Sequence, residues 1–132
     1  TGYVFGKGYH ELGSNALLFV ESSGVGGTHP ALVEAMAHGS CVIANDTAEN
    51  LETIGDAGFS YHGKLGATDL RRVLATRLAD SAQLLEYARR AQERAQTVYT
   101  WEAVTDAYER LFYQLLNQSL PARLHKSYLA AE

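Results

Sequence analysis

The sequence predicts an α/β protein, with a parallel sheet in its first half and helices in its second. Three patterns predict it. The apolar runs at residues 16–20 and 41–44 are unbroken rather than alternating, as in parallel strands covered on both faces. Helix-patterned segments stand between such runs, in the order strand, helix, strand, helix, strand that builds a parallel sheet. From Thr68 onward, apolar residues recur every three or four positions, the spacing of amphipathic helices.

Each element has its own signal. Tyr3, Val4 and Phe5 form a short apolar strand bounded by Gly2 and Gly6, and residues 7–15 a short helix with Tyr9 and Leu12 three apart. The strand at 16–20 opens into the loop Glu21-Ser22-Ser23-Gly24-Val25-Gly26-Gly27-Thr28. A helix follows, with Pro30 in its first turn, where a missing N–H costs little. Gly39 sits where a left-handed residue ends it. Thr28 or His29 caps it, and Thr28 is the better capping type. The second strand is 41–44. Asp46 and Glu49 have capping-box spacing for a helix through about Ile54. Residues 55–58 turn into a third strand at 59–61.

In the second half, Leu70, Val73, Leu74 and Leu78 line one helix, and Leu84, Ala88, Ala91, Ala95 and Val98 another. Trp101, Val104, Tyr108, Leu111 and Leu115 line a third, capped by Thr100, with Trp101 packing it onto the domain. The pattern is lost after Pro121. The expected organisation is one domain at 1–120 and a tail at 121–132.

The length of 132 residues suits one domain of about 100–200 residues. Hydrophobic residues at 46% and charged residues at 20% exclude a disordered chain. Eleven Lys and Arg against 15 Asp and Glu give a net charge of −4, so there is no basic footprint for nucleic acid. One cysteine, Cys41, excludes an internal disulfide framework and a cysteine-rich zinc site. No apolar run approaches the about 18 residues of a membrane span. No signal peptide opens the chain, which makes a cytoplasmic location the expectation.

Residues 22–39 carry the chemistry. A glycine-rich loop after a parallel strand, opening onto a helix, suits an anion. Gly24, Gly26 and Gly27 let backbone approach a ligand, and the helix start presents N–H groups and a positive dipole end. Ligands of open α/β sheets bind beyond the carboxyl ends of the strands. The spacing G-x-G-G is neither the dinucleotide fingerprint nor a P-loop, and a plain strand-to-helix turn would also use glycines. Glu34 can accept hydrogen bonds from two adjacent hydroxyls, such as a ribose diol, or can simply be a solvated helix residue.

The string Val25-Gly26-Gly27-Thr28-His29-Pro30-Ala31-Leu32-Val33-Glu34-Ala35-Met36-Ala37-His38-Gly39 resembles the donor-site loop and helix of retaining GT-B glycosyltransferases. It follows the G-G-T-(N/H)-P-x-L-x-E-A-M variant of rhamnosyltransferase-like members. Cys41-Val42-Ile43-Ala44 and Ile54-Gly55-Asp56-Ala57-Gly58 continue the resemblance, and Thr100-Trp101-Glu102 matches the family's S/T-W-E. About residues 2–116 are covered.

The resemblance implies a partial Rossmann-like sheet, the C-terminal domain of a GT-B protein with its first two strands missing, followed by helices. It implies an enzyme that moves a sugar, with retention, from a nucleoside diphosphate sugar to a glycan or lipid-linked acceptor in polysaccharide biosynthesis. The donor is a substrate, and no metal or other cofactor is implied. The isolated chain is expected to be inactive, and the parent enzyme peripheral to the membrane. Glu34 takes the place of the glutamate that holds the ribose hydroxyls. Gly26, Gly27, Thr28 and His29 fall on the loop facing the donor sugar and diphosphate, and Tyr3 and Val4 near the base. The family's first glutamate falls on Gly26, which leaves Glu21 as a candidate contact to the donor sugar. No catalytic residue is assigned.

The partners implied are the nucleotide sugar and a missing N-terminal acceptor domain or a second chain. The apolar edge at 16–20 is a pairing hazard, so a homo-oligomer through that edge is expected. The competing reading is a non-catalytic association module built on a truncated domain. His10, His38, His62 and His125 have no ligand spacing and read as surface residues. Cys41 reads as inert core, and the Arg71–Arg72 and Arg89–Arg90 pairs as solvated helix faces.

Overall fold

The computed structural model describes residues 2–125. Its elements are α1 (Lys7–Ser14), β1 (Leu18–Glu21), α2 (Pro30–Ala37), β2 (Cys41–Asn45), α3 (Ala48–Ile54), β3 (Phe59–Tyr61), a 3-10 turn at Gly63–Leu65, α4 (Ala67–Arg77), α5 (Ser81–Val98), α6 (Trp101–Leu115) and α7 (Ala122–His125). The chain divides into two compact units, the first ending at Gln96 and the second beginning at Thr97.

In the first unit the strands form one parallel sheet in the order β1-β2-β3, with Val20 beside Ile43 and Ile43 beside Phe59. Every residue of β2 is buried. Its side chains alternate between two cores. Val42 and Ala44 pack with Leu32, Ala35 and Met36 of α2, Ile54 of α3, and Ala91 and Ala95 of α5. Cys41 and Ile43 pack with Phe59, Tyr61, Val73 and Leu84. This two-sided burial is why the strand reads as an unbroken apolar run. Leu32 and Met36 are fully enclosed, each contributing about 1.5–3 kcal/mol of burial. On the second face, Phe59 stacks on Tyr87 and the Arg77 guanidinium lies 4.1 Å over its ring.

Helix ends follow local chemistry, with one correction. Of the two expected caps, α2 has His29 at its N-cap rather than the better capping type Thr28, with Pro30 in the first turn and no side-chain capping bond. It ends as expected at Gly39, φ 78°, where Gly39 N–H donates to Met36 O and Ser40 N–H to Ala35 O, the paired bonds of a Schellman ending. α3 is capped by Thr47, whose hydroxyl accepts from Asn50 N–H. Asp46 is not the cap, because its carboxylate accepts from Gly63 N–H and pairs with His62 instead.

The strand expected at Tyr3, Val4 and Phe5 does not form. A strand needs a hydrogen-bonded neighbour, and among the described residues the only pairings join β1 to β2 and β2 to β3. Tyr3 and Phe5 are 94% and 79% exposed.

In the second unit, Thr100 caps α6 by accepting from Ala103 N–H at 3.1 Å. Arg123 pairs with Asp106 and Glu109. No residue of α6 is buried. Within this unit the only other described helix is the four-residue α7, too short to cover a fifteen-residue face. Residues 126–132 of the expected tail, and the side chain of His125, lie outside the described residues.

Candidate functional site

The strands deliver three polar or amphipathic residues to their carboxyl ends: Glu21 from β1, Asn45 from β2 and Tyr61 from β3. In a parallel sheet this crest is where loops are free to vary and ligands gather. All three residues are buried.

The loop after β1 is fastened to the crest through both backbone groups of Ser23. Its N–H donates to Glu21 Oε1 at 2.8 Å. Its carbonyl accepts from Asn45 Nδ2 at 3.2 Å and from Asn50 Nδ2 at 3.4 Å. Asn50 also donates to the Asn45 carbonyl at 3.2 Å. Burial works to raise the Glu21 carboxyl. The hydrogen bonds from Ser23 and the nearby His29 outweigh it, so the group is held below the usual carboxylate range.

Beyond Ser23 the loop is exposed at Gly24, Val25, Gly26, Gly27 and Thr28. Gly26 has φ 130°, a conformation that L side chains rarely adopt. A Cβ at Gly26 would stand 3.0 Å from the His29 ring. The imidazole therefore lies against Gly26, and a glutamate at 26 has no relaxed conformation there. His29 then leads directly into α2, whose eight residues start at Pro30.

Glu34 is exposed on the second turn of α2. Its Oε2 accepts from the Tyr9 hydroxyl of α1 at 2.6 Å. That bond is the chief cause of a raised Tyr9 pKa, with some burial adding to it.

The expected site residues thus fall into three groups. Glu21, Gly26 and His29 come together at the root of the loop, and Gly27 and Thr28 stand exposed beside them in the chain. Glu34 is engaged by α1. Tyr3 stacks on Phe5 with ring centroids 5.8 Å apart, and Val4 lies against Gly8.

Sequence reasoning missed Tyr9, Asn45 and Asn50. It also missed the pairing of His62 with Asp46, Nδ1 to Oδ2 at 2.8 Å. Asp46 is held below the usual carboxylate range, first by the Gly63 N–H and, against some desolvation, by His62. An asparagine at the end of an apolar strand, and a second one five residues on, were the available signals. Among the described residues no group of three or more His, Cys, Asp or Glu is disposed to hold a metal ion, and no helix is long and apolar enough to cross a membrane. The chain matches no protein-family model, no curated protein and no solved structure with which it was compared.

Proposed function

We propose that this chain is the donor-binding part of a retaining GT-B glycosyltransferase, moving a sugar from a nucleoside diphosphate sugar to a glycan or lipid-linked acceptor. The observation that carries the reading is the unit of β1, glycine loop and α2 at the carboxyl end of a parallel sheet. It bears the Gly26-Gly27-Thr28-His29-Pro30 string and Glu34-Ala35-Met36. Loop amides and the start of α2 suit the charge that develops on a leaving diphosphate. Glu34 suits the ribose hydroxyls. The bond from Ser23 to Glu21 favours a loop-shaping role for Glu21 over a contact to the sugar. Tyr3 and Val4 belong to the base end of the site in this reading.

Calorimetric titration of the chain with UDP, GDP and dTDP sugars tests it. Saturable binding of one of them, weakened about tenfold or more in Glu34→Ala, is the expected outcome. Equal affinity in that variant would remove Glu34 from the site, and absence of binding by all three would overturn the reading.

One observation favours the second reading, an association module. The outer edge of β1 has no strand partner among the described residues, and Leu17 beside it is 62% exposed. A stable dimer in light scattering, without nucleotide-sugar binding, would favour that module. A monomer that binds would exclude it.

A further inference from the structure

Glu34 reaches the surface of α2 on a side chain with three rotatable bonds. An exposed glutamate of this kind samples many rotamers, and a ligand that uses its carboxylate must freeze them. Here one oxygen is already held, by a hydroxyl that arrives from 25 residues away at 2.6 Å. The holder is itself held. The Tyr9 ring meets His10 edge to face at 5.7 Å, and His10 meets His38, the C-cap residue of α2, at 5.9 Å. Further along α1, a Cβ at Gly13 would stand 2.5 Å from the His38 ring, so α1 comes close to the end of α2 there and any larger residue would have to displace that ring. The Tyr9–Glu34 bond therefore stands beside further contacts between α1 and the end of α2 rather than alone.

A carboxylate offers about four acceptor positions. Tyr9 takes one, and both hydroxyls of a vicinal diol can be received on the others. We infer that Tyr9 is a positioning residue: its hydroxyl presets the Glu34 carboxylate for the 2′ and 3′ hydroxyls of a nucleotide ribose. The inference rests on the proposed role of Glu34. It adds preorganisation, which raises affinity by lowering the ordering cost of binding.

The test is a double-mutant cycle on the full chain, using UDP and GDP, their 2′-deoxy counterparts and dTDP as probes. The variants are Tyr9→Phe, Glu34→Gln and the pair. Tyr9→Phe keeps the ring and should melt with the wild type. It is expected to weaken binding of the ribose probe about fivefold to tenfold. The loss should be smaller for the 2′-deoxy probe, and absent when Glu34→Gln is already in place. Wild-type affinity in Tyr9→Phe would overturn the inference. So would a loss that persists undiminished in the Glu34→Gln background, since that is the mark of a merely structural role. No binding of UDP, GDP or dTDP would instead overturn the donor-site reading, Glu34→Gln binding as tightly as wild type would remove Glu34 from the site, and binding of dTDP alone, whose sugar has no 2′ hydroxyl, would overturn the inference.

Discussion

The Ser23 carbonyl accepts from two buried amides, and that arrangement makes Asn50 a residue with a definite cost. Asn50 is fully buried, its Nδ2 serves two carbonyls, and its Oδ1 has no hydrogen-bond partner. Asn50→Leu removes the orphaned oxygen together with the donors, and should destabilise by about 1–3 kcal/mol. Asn50→Asp sets a carboxylate against the carbonyls of Ser23 and Asn45 and should cost more. Urea unfolding of both variants checks the order, and Asn50→Asp at least as stable as Asn50→Leu would contradict it. Gly26 is the second residue with a definite cost. Its φ of 130° and the neighbouring His29 ring give a physical reason for the absence of the glutamate that the resemblance would place there. Restoring it as Gly26→Glu should strain the loop by about 1–3 kcal/mol, seen as a lowered melting temperature. A variant as stable as wild type would show that the loop relaxes freely.

Helix ends separate structure from sequence expectation most cleanly. Thr47 and Thr100 accept hydrogen bonds from the N–H groups of Asn50 and Ala103, so alanine at either should cost about 1 kcal/mol. Thr28 lies before the cap of α2, and Thr28→Ala should leave stability unchanged in the same unfolding experiment. A loss there equal to that at Thr47 would restore Thr28 as the cap. Most elements were legible from the sequence. The strands at 41–44 and 59–61 and the helices led by Pro30, Thr68 and Thr100 follow from burial pattern and punctuation. They agree with β2, β3, α2, α4 and α6 within a residue or two. Residues 3–5 failed because an apolar triplet signals a strand without saying whether a partner lies beside it. In the candidate site, the loop and Glu34 were legible as motif residues. The Asn45 and Asn50 clamp and the Tyr9 bond were not, because each joins segments distant in the chain.

Across the whole molecule, carboxylates couple the fold to pH. Glu21, Asp46, Asp69 and Glu86 are all held below their ordinary values. Glu86 is lowered to about 2, first by the Arg89 hydrogen bond and then by Arg90. Asp69 is lowered first by Arg72 and then by the His62 N–H. For Glu21 and Asp46 the Ser23 and Gly63 bonds outweigh desolvation. A carboxyl whose folded value is depressed stabilises fully above its unfolded value near 4, and that contribution is lost as pH falls through the folded value. The melting temperature should therefore fall steadily from about pH 4.5 toward pH 2, and a flat profile across that window would contradict the assignment. The proposed donor site is the loop and helix start between β1 and α2. The most direct measurement is a backbone amide NMR titration of the chain with UDP, GDP and dTDP. Saturable shifts centred on Gly26, Gly27, Thr28 and His29, extending to Glu34, are predicted. Shifts centred elsewhere, or none at saturating concentrations of all three, would contradict it.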